Sequence, residues 1–161
     1  MASERLSPVR ICLTASAGGH FAELLRLRPA YVDLPHFYML PRNAARAQDS
    51  SIGRVYWVPD YGRGGRWRRI VAIGVLAARS VGIYLRERPN VVLTTGAATG
   101  LLLALLVRAT GGRVIYVECS AQVRTPSRSG RAFRWIAQPF FVQWPTLLRH
   151  YPRSEYGGLL L

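Results

Sequence analysis

Residues 9–20 read VRICLTASAGGH, and the helical pattern FAELLRL follows directly at Phe21. A short apolar run that breaks into two adjacent glycines and then resumes with helical spacing predicts a strand, a tight loop and a helix N-terminus. Gly18 and Gly19 can take positive φ and bring backbone N–H groups close to a bound group, while the helix that follows points its positive end at the same place. The loop is therefore expected to accept an anion, a phosphate above all. The competing reading is that the glycines serve only the turn, since the segment is neither a G-x-G-x-x-G fingerprint nor a GKS/GKT phosphate loop. His20 falls where side chains project into the ligand crevice of an open α/β sheet.

Outward from this segment the pattern alternates strand and helix. Arg10–Ala15 is the first strand, and a helix runs from His20 to about Leu27 with Phe21, Leu24, Leu25 and Leu27 on a helical period. His36–Leu40 and Val55–Val58 read as short strands closed by Pro41 and Pro59, with a polar loop, Arg42–Gly53, between them. Trp67–Arg86 is a long helix. Asn90–Thr95 and Arg113–Glu118 are near-continuous apolar strands of the kind that parallel sheets cover on both faces. Between them Thr99–Ala109 is helical and stops at Gly111–Gly112. Ser127–Ala137 reads as a helix, Phe140–Gln143 as a last short strand, and Pro145–His150 as a final helical turn. The expected fold is a doubly wound α/β domain with a parallel sheet.

At 161 residues the chain has the length of one domain, 1–161, and is short for a two-domain enzyme. Half of it is apolar, which argues against disorder. Cys12 and Cys119 lie in apolar runs and read as small core residues of a reducing compartment; with histidines only at 20, 36 and 150, no metal-ligand spacing is visible and neither a metal nor a cofactor is expected. No long apolar stretch follows the charges of MASERLSPVR, so no signal peptide is expected and a cytoplasmic location is. The formal charge is +14, and all 22 basic residues are arginine. Such a balance calls for an acidic partner, and arginine's planar fork suits phosphate oxygens. Arg63, Arg66, Arg68 and Arg69 flank one apolar segment, and Arg124, Arg128, Arg131 and Arg134 form a later block. Nucleic acid also fits the charge, but no recognisable module or aromatic–basic interleaving supports a specific site.

Ligands of open α/β sheets gather at the carboxyl ends of the strands. Three loops there carry unusual content: Ser16–His20, Gly96–Gly100 within TTGAATG, and Glu118–Gln122, which contains Ser120, within VECSAQ. Glu118 is the only carboxylate between Arg88 and Ser154. At the end of an apolar strand facing the crevice it would accept a proton or bind sugar hydroxyls. The alternative is a salt bridge to an arginine.

The order SAGGH, then RPNVVLTTGAATGLLLALLVRATGGRVIYVECSAQVRTPS, then FFVQWPTLLRHYP and a closing YGG resembles the PssD-type oligosaccharide-biosynthesis proteins. These are bacterial relatives of the membrane-recruiting subunit of the dolichol-linked N-acetylglucosaminyltransferase. The same order is similar to the N-terminal half of MurG-type GT-B glycosyltransferases. The resemblance covers nearly the whole chain and implies a Rossmann-like, acceptor-side half of a split enzyme whose UDP-sugar site is on a catalytic partner subunit. It implies that Gly18, Gly19 and His20 line the cleft near the diphosphate of a polyprenyl-linked acceptor. Gly96 and Gly100 would form the second glycine-rich loop, here GAATG where the MurG type has more glycine. Glu118 would contact the acceptor sugar or assist deprotonation of its hydroxyl. His20 and Glu118 are thus the expected catalytic pair, and Ser16, Gly18, Gly19, Gly96, Gly100 and Ser120 the expected substrate-binding set.

Membrane contact is expected from Ile70–Ala78 and its extension Val81–Leu85, bordered by arginines. At about 1.5 Å per residue this helix spans about 24 Å, short of the roughly 30 Å hydrocarbon core. An interfacial helix, with Ile70, Ile73 and Leu76 toward lipid and Arg68 and Arg69 at anionic headgroups, is one reading. A helix packed on the sheet is the other. The function expected is an acceptor-binding subunit of an inverting glycosyltransferase for exopolysaccharide or capsule, peripheral on the inner face of the plasma membrane; the alternative is a non-catalytic adaptor that recruits the catalytic subunit.

Overall fold

The computed structural model describes residues 8–47, 52–60 and 65–160; residues 1–7 and Arg63, which entered the reading above, lie outside them. Seven strands, β1 (Ile11–Thr14), β2 (His36–Pro41), β3 (Val55–Val58), β4 (Val91–Thr94), β5 (Arg113–Val117), β6 (Phe140–Val142) and β7 (Glu155–Tyr156), form one sheet in the order β3-β2-β1-β4-β5-β6-β7. Every neighbouring pair is parallel. The helices are α1 (Gly19–Arg26), α2 (Arg66–Glu87), α3 (Leu101–Ala109) and α4 (Arg128–Phe133).

This is the doubly wound, Rossmann-like sheet. The chain steps outward from β1 through α1, then α2 carries it back across the sheet to β4, and α3 and α4 continue the other way. Right-handed crossovers then put α1 on one face and α2 to α4 on the other. The core divides accordingly. Ile11, Leu13, Tyr38 and Leu40 pack under Phe21 and Leu24 of α1. Cys12, Phe37, Met39, Val92 and Val114 pack under Leu76 and Ile83 of α2, Leu103 and Val107 of α3, and Phe133 at the end of α4. Alternation along each strand supplies both faces, which is why the strand sequences read as unbroken apolar runs. The direction of winding reverses between β1 and β4, so their carboxyl ends open a crevice.

Three expectations are corrected. β7 was not anticipated, because its two residues are exposed and give no apolar signal. The stretch read as a polar loop after Pro41 begins with a 3-10 helix, Arg42–Ala47, and Pro41 itself is the last residue of β2, opposite Val58. α4 ends at Phe133 rather than Ala137, and it is capped by Ser127, whose hydroxyl accepts from the Gly130 N–H at 2.8 Å.

Helix α2 joins two environments. Leu76, Ser80, Ile83 and Glu87, spaced four, three and four apart, form its buried stripe. Its first half is exposed on all sides: Trp67, Ile70, Val71 and Ile73 are open to solvent together with Arg66, Arg68 and Arg69. Ile70 and Ile73 thus stand where a surface helix would present them, whereas Leu76, expected beside them, is a core residue.

Candidate functional site at the sheet switch point

The loop after β1 is short and open. Gly18 sits at φ 82 and caps α1, its carbonyl accepting from the Phe21 and Ala22 N–H groups, and neither Gly18 nor Gly19 has any atom within 4 Å of where a side chain would begin. Both are exposed at the N-terminus of α1, beside the positive end of the helix dipole.

The loop after β4 has glycines of another kind. Gly96 (φ 115) lies against the His20 imidazole, where an added Cβ would be 3.0 Å from Nδ1 and Cε1; one at Gly100 would be 2.5 Å from the Thr14 side chain. These two glycines exist to let the β4 loop close onto β1 and His20. Hydrogen bonds lock that closure: His20 Nδ1 faces the Thr95 carbonyl at 2.7 Å, the Thr95 hydroxyl donates to the His20 carbonyl at 2.6 Å, and the Ser16 hydroxyl donates to the Gly96 carbonyl at 3.1 Å. A carbonyl only accepts, so Nδ1 of the neutral ring carries the proton and Nε2 keeps its lone pair.

The loop after β5 also reaches α1, one turn further along. Its Ser120 N–H donates to Glu23 Oε1 at 2.8 Å, and the Ser120 carbonyl accepts from the Trp144 indole at 2.7 Å. Ser16, Gly18, Gly19, His20, Gly96 and Ser120 are therefore gathered around the start of α1, while Gly100 lies against the Thr14 side chain, which strand alternation turns to the other face of the sheet.

Glu118 is not in the crevice. It is fully buried, and both oxygens are taken: Oε1 accepts from the Tyr116 hydroxyl and the Cys119 N–H, each at 3.2 Å, and Oε2 from the Tyr151 hydroxyl at 2.7 Å and from the Ser127 hydroxyl and N–H at 3.1 and 3.3 Å. Helix α4 closes over it at Gly130, where any side chain would collide with Glu118 Oε2 and the Tyr151 hydroxyl. Burial, with the Glu118 charge added, pushes the Tyr116 phenol above its ordinary value. Burial, then the hydrogen bond to Glu118 and its charge, does the same to Tyr151, so both hydroxyls stay protonated as donors. Glu118 anchors the β5 loop to α4 and Tyr151. Neither the crevice-facing orientation nor the arginine partner is found.

The carboxylate that does face the loop cluster is Glu23, which went unremarked in the sequence. It is buried on α1, three residues after His20 and so on the same helical face. Three of the four buried side-chain oxygens without a hydrogen-bond partner among the described residues, Thr14 Oγ1, Glu23 Oε2 and Thr99 Oγ1, belong to this end of the sheet.

A parallel doubly wound sheet with an open glycine loop at its switch point is the Rossmann-like architecture of the GT-B enzymes. Solved structures agree on the fold. The chain superposes on MurG from Acinetobacter baumannii with a TM-score of 0.69 at 14% identity, covering 86% of this chain and 42% of that one. For the UDP-GlcNAc 2-epimerase of Methanocaldococcus jannaschii the TM-score is 0.65 at 14% identity, over 92% of this chain and 45% of that one. The chain thus spans less than half the length of either structure.

Residues 67–160 match the family described as oligosaccharide biosynthesis protein Alg14 like, and the chain belongs to that family. Among curated relatives it is 29% identical over 181 residues to the UDP-N-acetylglucosamine transferase subunit ALG14 of Mus musculus, covering 95% of this chain and 83% of the relative. It is 36% identical over 98 residues to the protein of the same name from Yarrowia lipolytica, covering 57% of this chain and 45% of the relative.

Proposed function

We propose that this chain is the acceptor-binding, membrane-associating subunit of a split glycosyltransferase, acting on the inner face of the plasma membrane in exopolysaccharide or capsule biosynthesis. A second polypeptide binds the UDP-sugar, UDP-N-acetylglucosamine in the relatives' names, and the pair transfers the sugar to a polyprenyl-diphosphate-linked acceptor. The acceptor hydroxyl forms the new bond to the anomeric carbon, the bond from that carbon to UDP breaks, and the hydroxyl proton is released. The observation that carries this reading is the open Gly18–Gly19 loop at the switch point of a sheet that spans less than half of MurG, in a chain whose relatives are named subunits. The Gly18 and Gly19 N–H groups and the α1 N-terminus receive the acceptor diphosphate, His20 contacts it, and Ser16, Gly96 and Ser120 hold the loops in register.

The purified chain is expected to transfer no sugar from UDP-N-acetylglucosamine and to become active on addition of its partner. Robust turnover by the chain alone would end the split-enzyme reading. The enclosure of Glu118 favours a second reading, in which the chain only docks the catalytic polypeptide at the membrane. An adaptor of that kind tolerates the loss of His20.

The exposed first half of α2, with Trp67, Ile70, Val71 and Ile73 interleaved with Arg66, Arg68 and Arg69, supports peripheral attachment to an anionic surface. No helix among the described residues is long and apolar enough to cross a membrane. Flotation with anionic vesicles tests the attachment: Ile70→Asp with Ile73→Asp is expected to give a folded protein that no longer floats, and Leu76→Asp an unfolded one. Flotation unchanged in the double variant would place the contact elsewhere.

A further inference from the structure

Beneath the first turn of α1, side chains from two distant segments converge. His20 and Glu23 share one face of the helix, and Cys119 enters from the loop after β5; one donor atom of each lies within 4.8 Å of the other two. The His20 and Glu23 side chains are already held in the manner of metal ligands, by hydrogen bonds to atoms that would not touch the metal. The His20 Nδ1 proton is committed to the Thr95 carbonyl, which leaves Nε2 as the coordinating nitrogen. Glu23 Oε1 accepts from the Ser120 N–H and from Gln143 Nε2 at 3.3 Å. Gln143 is fixed in turn by donating to the Glu118 carbonyl at 3.0 Å and accepting from the Leu160 N–H at 2.6 Å. Oε2 of Glu23 is buried without a partner, and among the described residues no arginine pairs with this carboxylate despite the chain's basic surface.

We propose that His20, Glu23 and Cys119 form a binding site for a zinc-class divalent cation, with a fourth position left for water or a phosphate oxygen. The donor set decides the class. Magnesium and calcium take oxygen ligands, whereas a mixed nitrogen, oxygen and sulfur set suits zinc. Tetrahedral zinc bonds of about 2.0–2.3 Å place donors about 3.3–3.8 Å apart, so binding must draw the three side chains together from the present arrangement. Binding forms the metal–sulfur bond as the Cys119 thiol proton passes to solvent. A cation here ties α1 to the β5 loop and adds positive charge beside Gly18 and Gly19. With Nδ1 on Thr95 and Nε2 on the metal, His20 would meet an acceptor diphosphate through the cation's fourth position; the site itself requires neither acceptor nor partner subunit.

The test uses the full chain, stripped with a chelator, titrated with Zn(II) against a chromophoric competitor and separately with Co(II). Wild type is expected to take up a single tight equivalent, to melt at a higher temperature when loaded, and to show a thiolate-to-cobalt charge-transfer band with tetrahedral d–d absorption. Cys119→Ser should lose the band, and Glu23→Gln should bind Zn(II) roughly tenfold to a hundredfold more weakly or worse. His150→Ala should bind as wild type does. A Co(II) spectrum of the wild type without the thiolate band overturns the site even if neither variant folds. Equal Zn(II) affinity in wild type, Cys119→Ser and Glu23→Gln overturns it too. Transfer activity enters none of these readouts, so the site and the glycosyltransferase reading stand or fall separately.

Discussion

At the amino ends of the strands, the Glu87 carboxylate accepts from Arg10 and Tyr56 and, at 2.9 Å, from Arg54, and Asn90 is bound to the backbone on either side of Val9. At the carboxyl ends lie three of the four buried side-chain oxygens that lack a hydrogen-bond partner among the described residues, those of Thr14, Glu23 and Thr99, the fourth being Ser80 on α2, and beside them stand two exposed glycines. A buried polar atom left unpaired costs on the order of 1–3 kcal/mol, so its concentration at one end has a meaning. The first end ties three strands and a helix together, and the second keeps polar atoms unpaired beside its open glycine loop. Within the second end the two glycine loops differ again. Gly18 and Gly19 face open space, while Gly96 and Gly100 are pressed onto His20 and Thr14.

The largest effect expected from breaking this division is at His20. His20→Ala should lower transfer by the reconstituted pair roughly a hundredfold, about 3 kcal/mol of barrier, with the denaturation midpoint nearly unchanged. Stability lost in parallel with activity would make His20 a structural residue and erase the contrast.

The opposite outcome is expected at the other end. Glu87→Gln should destabilise the fold by about 2–3 kcal/mol and leave transfer by the folded protein intact. Burial alone would push the Glu87 carboxyl up. Hydrogen bonds from Tyr56 and Arg54 and the charges of Arg10 and Arg54 outweigh burial and hold it below its ordinary value of 4.5. Its folded form is therefore the stronger acid, and the stability it contributes is complete above the unfolded value and disappears as pH falls through the lower folded one. Urea midpoints of wild type and Glu87→Gln should accordingly differ most near neutrality and converge on acidification. A gap that widens in acid would reverse the assignment.

The smallest effects separate the two glycine loops. Gly100→Ala drives a methyl group into Thr14 and should cost about 1–3 kcal/mol. Gly19→Ala enters open space in the first turn of a helix and should change stability by less than about 1 kcal/mol, in the stabilising direction, while weakening acceptor binding. Equal destabilisation by both would show that the loops do the same work.

Much of the architecture was legible because a buried parallel strand leaves a run of apolar residues, and six of seven strands do so. β7 does not, since Glu155 and Tyr156 are held by backbone pairing to β6 and not by burial. The glycine loop and His20 were legible from the strand-to-helix break. The orientation of Glu118 was not. Tyr116 and Glu118 are two apart and share a face of the strand, and Tyr116 points under Phe133, but a tyrosine in an apolar run does not announce which face is the deeper. Glu23 had a signal in its spacing from His20, masked by an apolar pattern that accounted for the helix without it. In α2 the buried stripe contains Ser80 and Glu87 while the exposed half is rich in isoleucine and valine, so hydropathy points to the wrong half.

The division between the two ends is tested most directly by amide chemical-shift mapping of the chain titrated with a short-chain polyprenyl-diphosphate-linked sugar. The account predicts saturable shifts at Gly18, Gly19, His20 and Gly96, with Asn90, Gly111 and Gly112 at the amino ends unmoved. Shifts centred on the amino ends, or spread only over the exposed arginines of α2 and α4 and abolished by salt, would contradict it.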